Sequence, residues 1–196
     1  MKHFGTVGFE TDRLICRRFA PEDYEDMFNN WAADPDIQTE YGEPVYGTVS
    51  EVKMLLEKYI EVYNDPEFYR WAVTLKSSGE NIGQIAFCRV YSDCQTAEIE
   101  YCIGKRFWGH GYAGEALSAV IGHAFRNTDF TKLEAYHRAE NIKSGRVLEK
   151  SQMVKTDNVE RFVRENISPD GEICYCITKE NYEQTVGKIT VIDGED

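Results

Sequence analysis

Residues 102–125 read CIGKRFWGHGYAGEALSAVIGHAF, and this stretch decides the fold. Its middle, GHGYAG at residues 109–114, satisfies the pattern G-x-G-x-x-G of a phosphate-binding turn. The apolar residues that follow have the three- and four-residue spacing of an amphipathic helix, namely Ala113, Ala116, Leu117, Val120, Ile121, Ala124 and Phe125. Because a glycine-rich loop that opens a helix leaves backbone N–H groups free at the positive end of the dipole, the stretch predicts a cradle for a phosphate-bearing ligand.

The same pattern occurs in the dinucleotide-binding turn of Rossmann folds, and Glu134 lies 20 residues after Gly114, where a ribose-binding acid is expected. A nicotinamide or flavin enzyme is nevertheless disfavoured. Glu98 and Glu100 interrupt the preceding strand, and GKRFW at residues 104–108 separates it from the first glycine. The chain after the turn supplies one helix and a hairpin in place of further βα units. A turn that only permits close helix packing remains an alternative to the anion cradle.

The first half of the chain predicts two helices and four strands. Pro21 suits the first position of a helix that ends before Pro35. Its apolar stripe consists of Tyr24, Met27, Phe28 and Trp31. A second helix begins near residue 50, with Thr48 or Ser50 as its cap. Its buried side consists of Val52, Leu55, Leu56, Tyr59 and Tyr63. Strands are predicted at residues 14–18, 69–75, 82–91 and 96–103.

The second half predicts a strand at residues 132–137, a short helix at 141–151 and a hairpin at 158–182. The turn of that hairpin is Pro169-Asp170-Gly171. This order of elements is typical of a single α/β domain with a mixed sheet. The domain is predicted over residues 1–182, followed by an acidic C-terminal tail at 183–196.

Length and composition narrow the class of protein. The chain has 196 residues, of which 42% are hydrophobic and 29% charged, as expected of one globular domain. It shows neither the apolar region of a signal peptide nor a run of about 18 apolar residues, so a cytoplasmic location is expected. A net charge of −12 disfavours nucleic acid and anionic membrane partners. It suits a cationic substrate, although solubility explains it equally well.

The cysteines do not predict a metal site. Six of them are scattered without a C-x-x-C pair: Cys16, Cys88, Cys94, Cys102, Cys174 and Cys176. A reducing compartment would keep them as thiols. The pair Cys174 and Cys176 falls on one face of a predicted strand, where small thiols pack in a core. No bound metal is expected.

A family resemblance makes the cradle more specific. Residues 97–125 are similar to the acetyl-coenzyme A motif of the GNAT acyltransferases, in particular to the ribosomal-protein N-terminal acetyltransferases typified by RimJ and RimL. The matched residues are Trp108, Gly109, Gly111, Tyr112, Ala113, Glu115 and Ala116. The resemblance extends to residues 9–37, to the Asn-x-x-Ser helix start in 139–151 and to the last strand in 174–182.

The resemblance implies a GNAT fold, an α/β architecture with a mixed, mostly antiparallel sheet of about seven strands, flanked by helices and splayed at the cofactor strand. It implies acetyl-CoA as cosubstrate, with its pyrophosphate held by backbone N–H groups and its pantetheine paired to the strand end. The pyrophosphate donors would be Trp108, Gly109, His110, Gly111, Tyr112, Ala113 and Gly114, and the strand end Cys102, Ile103 and Gly104. Asn141 matches the residue that reaches the pantetheine arm, although a helix N-cap also explains it.

The resemblance also assigns catalytic roles. Glu98 would be the general base, acting through a water, and Glu100 is the competing candidate on the same strand face. The backbone N–H of Cys102 would stabilise the developing oxyanion, while its thiol is not expected to act as a nucleophile, because transfer in this family is direct. Ser144 would protonate the leaving thiolate.

Three positions depart from the family pattern. Leu148 stands where many members carry a tyrosine that protonates the leaving thiolate. Gln152 and Met153 replace the usual Gly and Phe at the exit of the short helix. The helix must therefore end by different local chemistry.

The resemblance predicts an N-acetyltransferase that acts on a primary amine, either a protein N-terminal α-amine or a small cationic amine. A small-molecule or antibiotic acetyltransferase on the same fold is the alternative enzyme, and a catalytically silent CoA-binding module is the alternative of another class. Acceptor choice is expected in residues 36–50, where Tyr41 and Tyr46 either line the site or pack in the core. The protein is expected as a monomer or homodimer.

Overall fold

The computed structural model describes the chain over residues 1–192 and side-chain surroundings as far as Val186. An eight-stranded sheet in the order β1-β2-β3-β4-β5-β6-β8-β7 runs through this part of the chain. Its strands are β1 Phe9–Glu10, β2 Leu14–Arg17, β3 Tyr69–Leu75, β4 Asn81–Tyr91, β5 Thr96–Ile103, β6 Lys132–Arg138, β7 Val154–Lys155 and β8 Glu172–Thr178. Every neighbouring pair is antiparallel except β5 and β6, which are parallel. The expected mixed, mostly antiparallel sheet is confirmed, with eight strands rather than about seven.

Helices cover both faces of the sheet. They are α1 Tyr24–Met27, α2 Pro35–Tyr41, α3 Val49–Glu61, α4 Tyr112–Asn127, α5 Ile142–Lys150, α6 Glu160–Glu165 and α7 Lys179–Ile192. A 3₁₀ turn at Pro21–Asp23 precedes α1, and a π-helical turn at Phe28–Ala32 continues it. The segment therefore begins at Pro21 and ends before Pro35, as its apolar stripe predicts. None of the helices in the described part of the chain is long and apolar enough to cross a membrane.

Two hydrophobic clusters lie on opposite faces of the sheet. One packs α4 and α5 against the sheet through large buried residues such as Trp71, Phe87 and Phe125. The other packs the helices of residues 21–61 against the opposite face, with Trp31 and Leu56 fully buried. The side chains of a strand alternate between these two faces, so Trp71 of β3 belongs to the first cluster and its neighbour Ala72 to the second.

The sheet forks between β5 and β6. Their parallel pairing is limited to Thr96 with Lys132, Ala97 with Leu133 and Glu98 with Glu134. Beyond Glu98, β5 keeps only its partner β4, and the two parallel strands diverge. A bulge between Phe87 and Arg89 of β4 lies opposite Glu98, where the divergence begins. This fork confirms the splay expected at the cofactor strand.

The hairpin predicted at residues 158–182 is wrong in this structure. The residues predicted as its first arm form the helix α6 instead. The N-cap Val159 and the helix residue Phe162 are buried at helical spacing and pack against Cys174. The predicted turn does precede β8, because Glu172 N–H donates to Pro169 O at 3.0 Å, but the hairpin partner of β8 is β7.

The segment between the first two predicted helices contains one further helix. Asp34 caps α2, and Gly42 ends it with a left-handed φ of 80°. The cap of α3 is Thr48, which forms a capping box with Glu51.

The C-terminal helix α7 crosses the predicted boundary between domain and tail. Residue 182 lies inside this helix, where the Tyr182 ring packs 5.5 Å from that of Phe125 and its hydroxyl accepts from Arg126 at 3.0 Å. The division at 182 remains a prediction, and residues 193–196 of the predicted tail lie outside the described residues.

Candidate active site

The glycine-rich loop begins α4 in a form that leaves its first-turn donors free. Gly109 and Gly111 have left-handed φ values of 82° and 83°, which only glycine adopts readily. Gly111 is the N-cap and has no side chain to cap the helix, so the N–H groups of the first turn keep their donor capacity. A Cβ at Gly109 or Gly114 would meet nothing within 4 Å among the described residues. This open, donor-lined concavity fits a phosphate group of a coenzyme.

The donors of the cradle begin at Gly109 rather than at Trp108. The Trp108 N–H donates to Lys105 O at 3.1 Å, because residues 105–107 form a 3₁₀ turn. Its indole Nε1–H donates to Ile103 O at 2.6 Å, and Lys143 Nζ lies 4.2 Å from the centre of its ring. The Trp108 N–H predicted as a pyrophosphate donor is therefore already used, and the side chain instead bridges β5 and α5 at the mouth of the fork.

The register of β5 determines which backbone groups face the fork. Gly104 N–H donates to Ile82 O at 2.9 Å, and Cys102 pairs with Gln84 in the same register. Hydrogen-bonded and non-hydrogen-bonded pairs alternate along an antiparallel ladder, so the Cys102 backbone groups point toward β4. Those of Tyr101 and Ile103 point into the fork. The geometry thus favours Tyr101 or Ile103 over Cys102 as the backbone donor to a substrate in the fork.

Asn141 and Ser144 stand on the opposite wall of the fork. Asn141 is the N-cap of α5, and its Oδ1 accepts from the Ser144 N–H at 3.1 Å. The Tyr101 hydroxyl donates to Ser144 O at 3.4 Å across the fork. Leu148, a residue of the same helix, is buried in the core. Capping occupies the Asn141 oxygen, which leaves its amide NH₂ as the group available to a ligand.

Glu98 lies at the point of the fork with 3% of its surface exposed. Its Oε1 accepts from Arg89 Nη1 at 2.6 Å and from Cys88 Sγ at 3.4 Å. Burial raises the pKa of Glu98 from its ordinary value, and the positive charges of Arg89 and Arg161 oppose that rise. A carboxyl with a raised pKa is a better proton acceptor than an exposed one.

Glu100 projects from the same face but is tied into a different network. Its Oε1 accepts from the Tyr41 hydroxyl at 2.8 Å and from Arg70 Nη2 at 2.7 Å. Arg70 reaches Glu100 across the small side chain of Ala86, which pairs with both in neighbouring strands. The contact joins α2 to β3 and β5 on the face of the sheet that the helices of residues 21–61 cover. We call this the acceptor face, because acceptor choice is expected in residues 36–50.

Arg70 contacts several side chains of the acceptor wall, which is the surface that the helices of residues 21–61 present on the acceptor face. Its Nη1 donates to Gln84 Oε1 at 2.7 Å, and its guanidinium lies 4.4 Å from the centre of the Tyr59 ring. Burial and, to a lesser extent, the negative charge of Glu100 raise the pKa of Glu43, so the two carboxyls share one region. Tyr46 also belongs to this cluster. Tyr41 and Tyr46 both pack against this hydrophobic cluster, which is the core-packing alternative of the prediction.

The Cys102 thiol is buried on the acceptor face. Burial raises its pKa to about 12, so the sulfur stays protonated near neutral pH. A thiol nucleophile requires the opposite shift. The described residues contain no group of three or more His, Cys, Asp or Glu arranged to hold a metal ion.

Two residues of the site are absent from the sequence-based predictions. Arg70 could have been found, because it is the one cation in YRWAVTL at residues 69–75 and alternates with the apolar Tyr69 and Trp71. Arg13, which contacts the glycine-rich loop, had no such signal, since its partners are about a hundred residues away in the chain.

A forked mixed sheet with a glycine-rich helix start at its mouth is the arrangement that the resemblance to the GNAT acyltransferases predicts. A family model described as an acetyltransferase (GNAT) domain matches residues 13–154. The chain therefore belongs to the GNAT family of acetyltransferases, a family that uses acetyl-CoA.

Relatives of known sequence or structure agree with this assignment. The uncharacterized N-acetyltransferase YoaA of Bacillus subtilis is 26% identical over 170 residues, which cover 87% of this chain and 96% of YoaA. The fold is similar to that of a putative ribosomal-protein-serine acetyltransferase from Vibrio cholerae, with a TM-score of 0.71 at 19% identity over 89% of this chain and 99% of the other. It is also similar to the microcin C7 self-immunity acetyltransferase MccE in complex with acetyl-CoA and AMP, with a TM-score of 0.67 at 14% identity over 86% and 93% of the two chains.

Proposed function

We propose that this acetyltransferase transfers the acetyl group of acetyl-CoA to a primary amine by direct attack, with both substrates bound together. The observation that carries the proposal is the fork between β5 and β6. The cradle lies at its mouth, Glu98 lies at the point where the strands part, and Glu100 contacts Tyr41 of α2. Acetyl-CoA supplies the activated acetyl thioester.

The cradle would hold the phosphates of acetyl-CoA through the N–H groups of residues 109–114. No protein acceptor within the described residues engages those of Gly109, His110 or Gly111, and the first-turn donors of α4 have no intrahelical partner. The backbone groups of Tyr101 and Ile103, which point into the fork, would pair with the pantetheine arm, and Asn141 would reach it from α5. If the pantetheine arm donates a hydrogen bond to the Ile103 carbonyl, the hydrogen bond from the Trp108 indole N–H to that carbonyl must break.

Glu98 would accept the proton of the attacking amine through a water. Its raised pKa supports this role, as does its position at the point where the strands part. Glu100 is the competing candidate, and its Oε1 serves Tyr41 and Arg70 as the Oε1 of Glu98 serves Cys88 and Arg89. A backbone N–H of β5 would donate to the carbonyl oxygen on which negative charge develops.

Ser144 would donate the proton that the leaving thiolate takes up. Its backbone is fixed by the Asn141 cap and by the Tyr101 hydroxyl, which leaves its hydroxyl to be aimed into the fork. The buried Leu148 cannot supply a proton.

The acceptor would be a cationic amine, either a protein N-terminal α-amine or a small amine. Glu43 adds negative charge beside the Arg70–Glu100 pair, whose own charges offset each other, and the Tyr46 ring supplies a face on which a cation can rest. The similar fold from Vibrio cholerae is described as a ribosomal-protein-serine acetyltransferase, and this likeness supports a protein N-terminus as acceptor.

The decisive experiment combines binding with turnover. Calorimetry with desalted protein should show sub-millimolar affinity for acetyl-CoA, and thiol release should then be measured with N-terminal peptides, polyamines and aminoglycosides. Release with peptides or polyamines supports the proposal. Release with aminoglycosides alone identifies an antibiotic acetyltransferase instead. Tight binding without release across the panel identifies a silent CoA-binding module, and absence of binding contradicts the cofactor assignment.

A further inference from the structure

One ion pair ties the glycine-rich loop to the start of β2. Arg13 donates from Nε to Glu115 Oε2 at 2.7 Å, and its Nη2 lies 2.6 Å from the same oxygen. Its remaining nitrogen, Nη1, donates to His110 O at 3.0 Å, inside the loop. The guanidinium also stacks 4.6 Å from the centre of the Tyr112 ring. Arg13 thus contacts the loop, the first residue of α4 and the carboxylate of Glu115 together.

The carboxylate end of the pair is equally fixed. Glu115 Oε1 accepts from the backbone N–H of Arg13 at 3.0 Å and from the Thr11 hydroxyl at 2.5 Å. Burial acts to raise the pKa of Glu115, but the hydrogen bonds from Thr11 and Arg13 outweigh it and hold the pKa below its usual value. The carboxylate is therefore ionised at neutral pH.

The position of that charge creates an electrostatic conflict. Glu115 stands in the first turn of α4, where a carboxylate stabilises the helix dipole. The same turn carries the N–H donors of the cradle, so an unmasked carboxylate there repels any phosphate that binds. The guanidinium of Arg13 lies against the cradle as well, since a Cβ on Gly111 would stand 3.5 Å from Arg13 Nη2. The pair brings opposite charges together beside the site and leaves it close to neutral.

We propose that Arg13 is a positioning residue for the cosubstrate: it anchors the loop through the His110 carbonyl and masks the charge of Glu115, so that the cradle presents backbone donors alone to phosphate. The inference rests on the proposed use of acetyl-CoA. Arg13 has no direct phosphate contact in this role. Its effect on binding is exerted through Glu115 and the loop.

The test is a double-mutant cycle read by calorimetry with acetyl-CoA at low and high salt. Arg13→Gln leaves Glu115 unmasked and should weaken binding about tenfold at low salt, with a smaller loss at high salt, because salt screens the repulsion. Glu115→Gln keeps an oxygen for Thr11 and for the Arg13 N–H, and should bind acetyl-CoA as tightly as the parent or more so. The double variant should return to within about threefold of the parent.

A matched control breaks an ion pair on the same strand but away from the loop. Arg17 pairs with Asp23 at 2.7 Å near the other end of β2, and Arg17→Gln should lower thermal stability without changing acetyl-CoA affinity. In steady-state assays Arg13→Gln should raise the KM for acetyl-CoA and leave kcat at saturation nearly unchanged.

The outcomes separate cleanly. If the double variant binds as weakly as Arg13→Gln, the exposed charge of Glu115 does not cause the loss, and the masking role is overturned. If Arg13→Gln keeps parental affinity, the inference fails while the proposed function stands. If the parent itself does not bind acetyl-CoA, the proposed function fails before the cycle is measured.

Discussion

The two ends of the fork are built by different means. At the mouth, the site consists of backbone N–H groups in a loop whose conformation is set locally by Gly109 and Gly111. On the acceptor face, it consists of side chains that meet only in the folded chain, as Arg70 meets Glu100 and Tyr41. A site made of backbone N–H groups is therefore recognisable in a short stretch of sequence, whereas a site made of side chains that pair across the fold is not.

The largest effect is expected from the substitution of Glu98, and it distinguishes Glu98 from Glu100 as the general base. Glu98→Gln should lower kcat/KM about 10²-fold, because the base is removed, while acetyl-CoA affinity stays unchanged. The parental kcat/KM should fall as the pH drops through the raised pKa of Glu98, since only the ionised carboxylate accepts a proton. This acidic limb should disappear in the variant.

Glu100→Gln is the matched control for that prediction. It should change the KM for the amine more than kcat, because Glu100 fixes Tyr41 and Arg70 in the acceptor wall. If Glu98→Gln turns over normally while Glu100→Gln loses the acidic limb, the two roles must be exchanged.

The second effect concerns the backbone-built end. Gly111→Val should weaken acetyl-CoA binding about 30-fold, because a branched side chain strains the left-handed φ of 83° and crowds Arg13. Gly79→Val is the control, since Gly79 has a similar φ of 75° and lies in the turn between β3 and β4. Both variants should lose about 1–2 kcal/mol of unfolding free energy. Equal acetyl-CoA affinity in the two would remove the loop from the binding site.

A smaller effect is expected on the side-chain-built end. Tyr41→Phe removes the hydroxyl that donates to Glu100 at 2.8 Å, and should raise the KM for the amine about three- to tenfold. The affinity for acetyl-CoA should not change. Tyr59→Phe keeps the ring that packs on Arg70 and should leave both constants near parental values. A change in acetyl-CoA affinity in Tyr41→Phe would show that the two ends are coupled.

The smallest effect is expected at Cys102. Its thiol has a pKa raised to about 12, so Cys102→Ala should retain kcat within about threefold. Mass spectrometry of the parent after incubation with acetyl-CoA alone should find no acetylated Cys102. An acetyl group trapped on that sulfur would contradict direct transfer.

Sequence-based predictions were most accurate where structure is local. β5 at Thr96–Ile103 has the predicted bounds, and the predicted helix begins at Tyr112, inside the glycine-rich stretch, because strand alternation and a glycine-rich start act over a few residues. The segment at 158–165 was misassigned, because alternation over so short a run cannot be distinguished from the helical spacing of Val159 and Phe162. Only packing against β8 decides between the two.

By itself the sequence determined the helix start at the glycine-rich loop, since glycine conformations and apolar spacing act between consecutive residues, and the resemblance carried by residues 97–125 implied the family and the forked sheet. Tertiary structure decided which backbone groups face the fork, where the register of β5 turns Cys102 toward β4 and Ile103 away from it. It also decided the partners of the charged residues, as in the pairing of Arg13 with Glu115 and of Glu98 with Arg89. The physical reason is range: a helix start is fixed by its neighbours in the chain, but an ion pair exists only once folding has brought distant residues together.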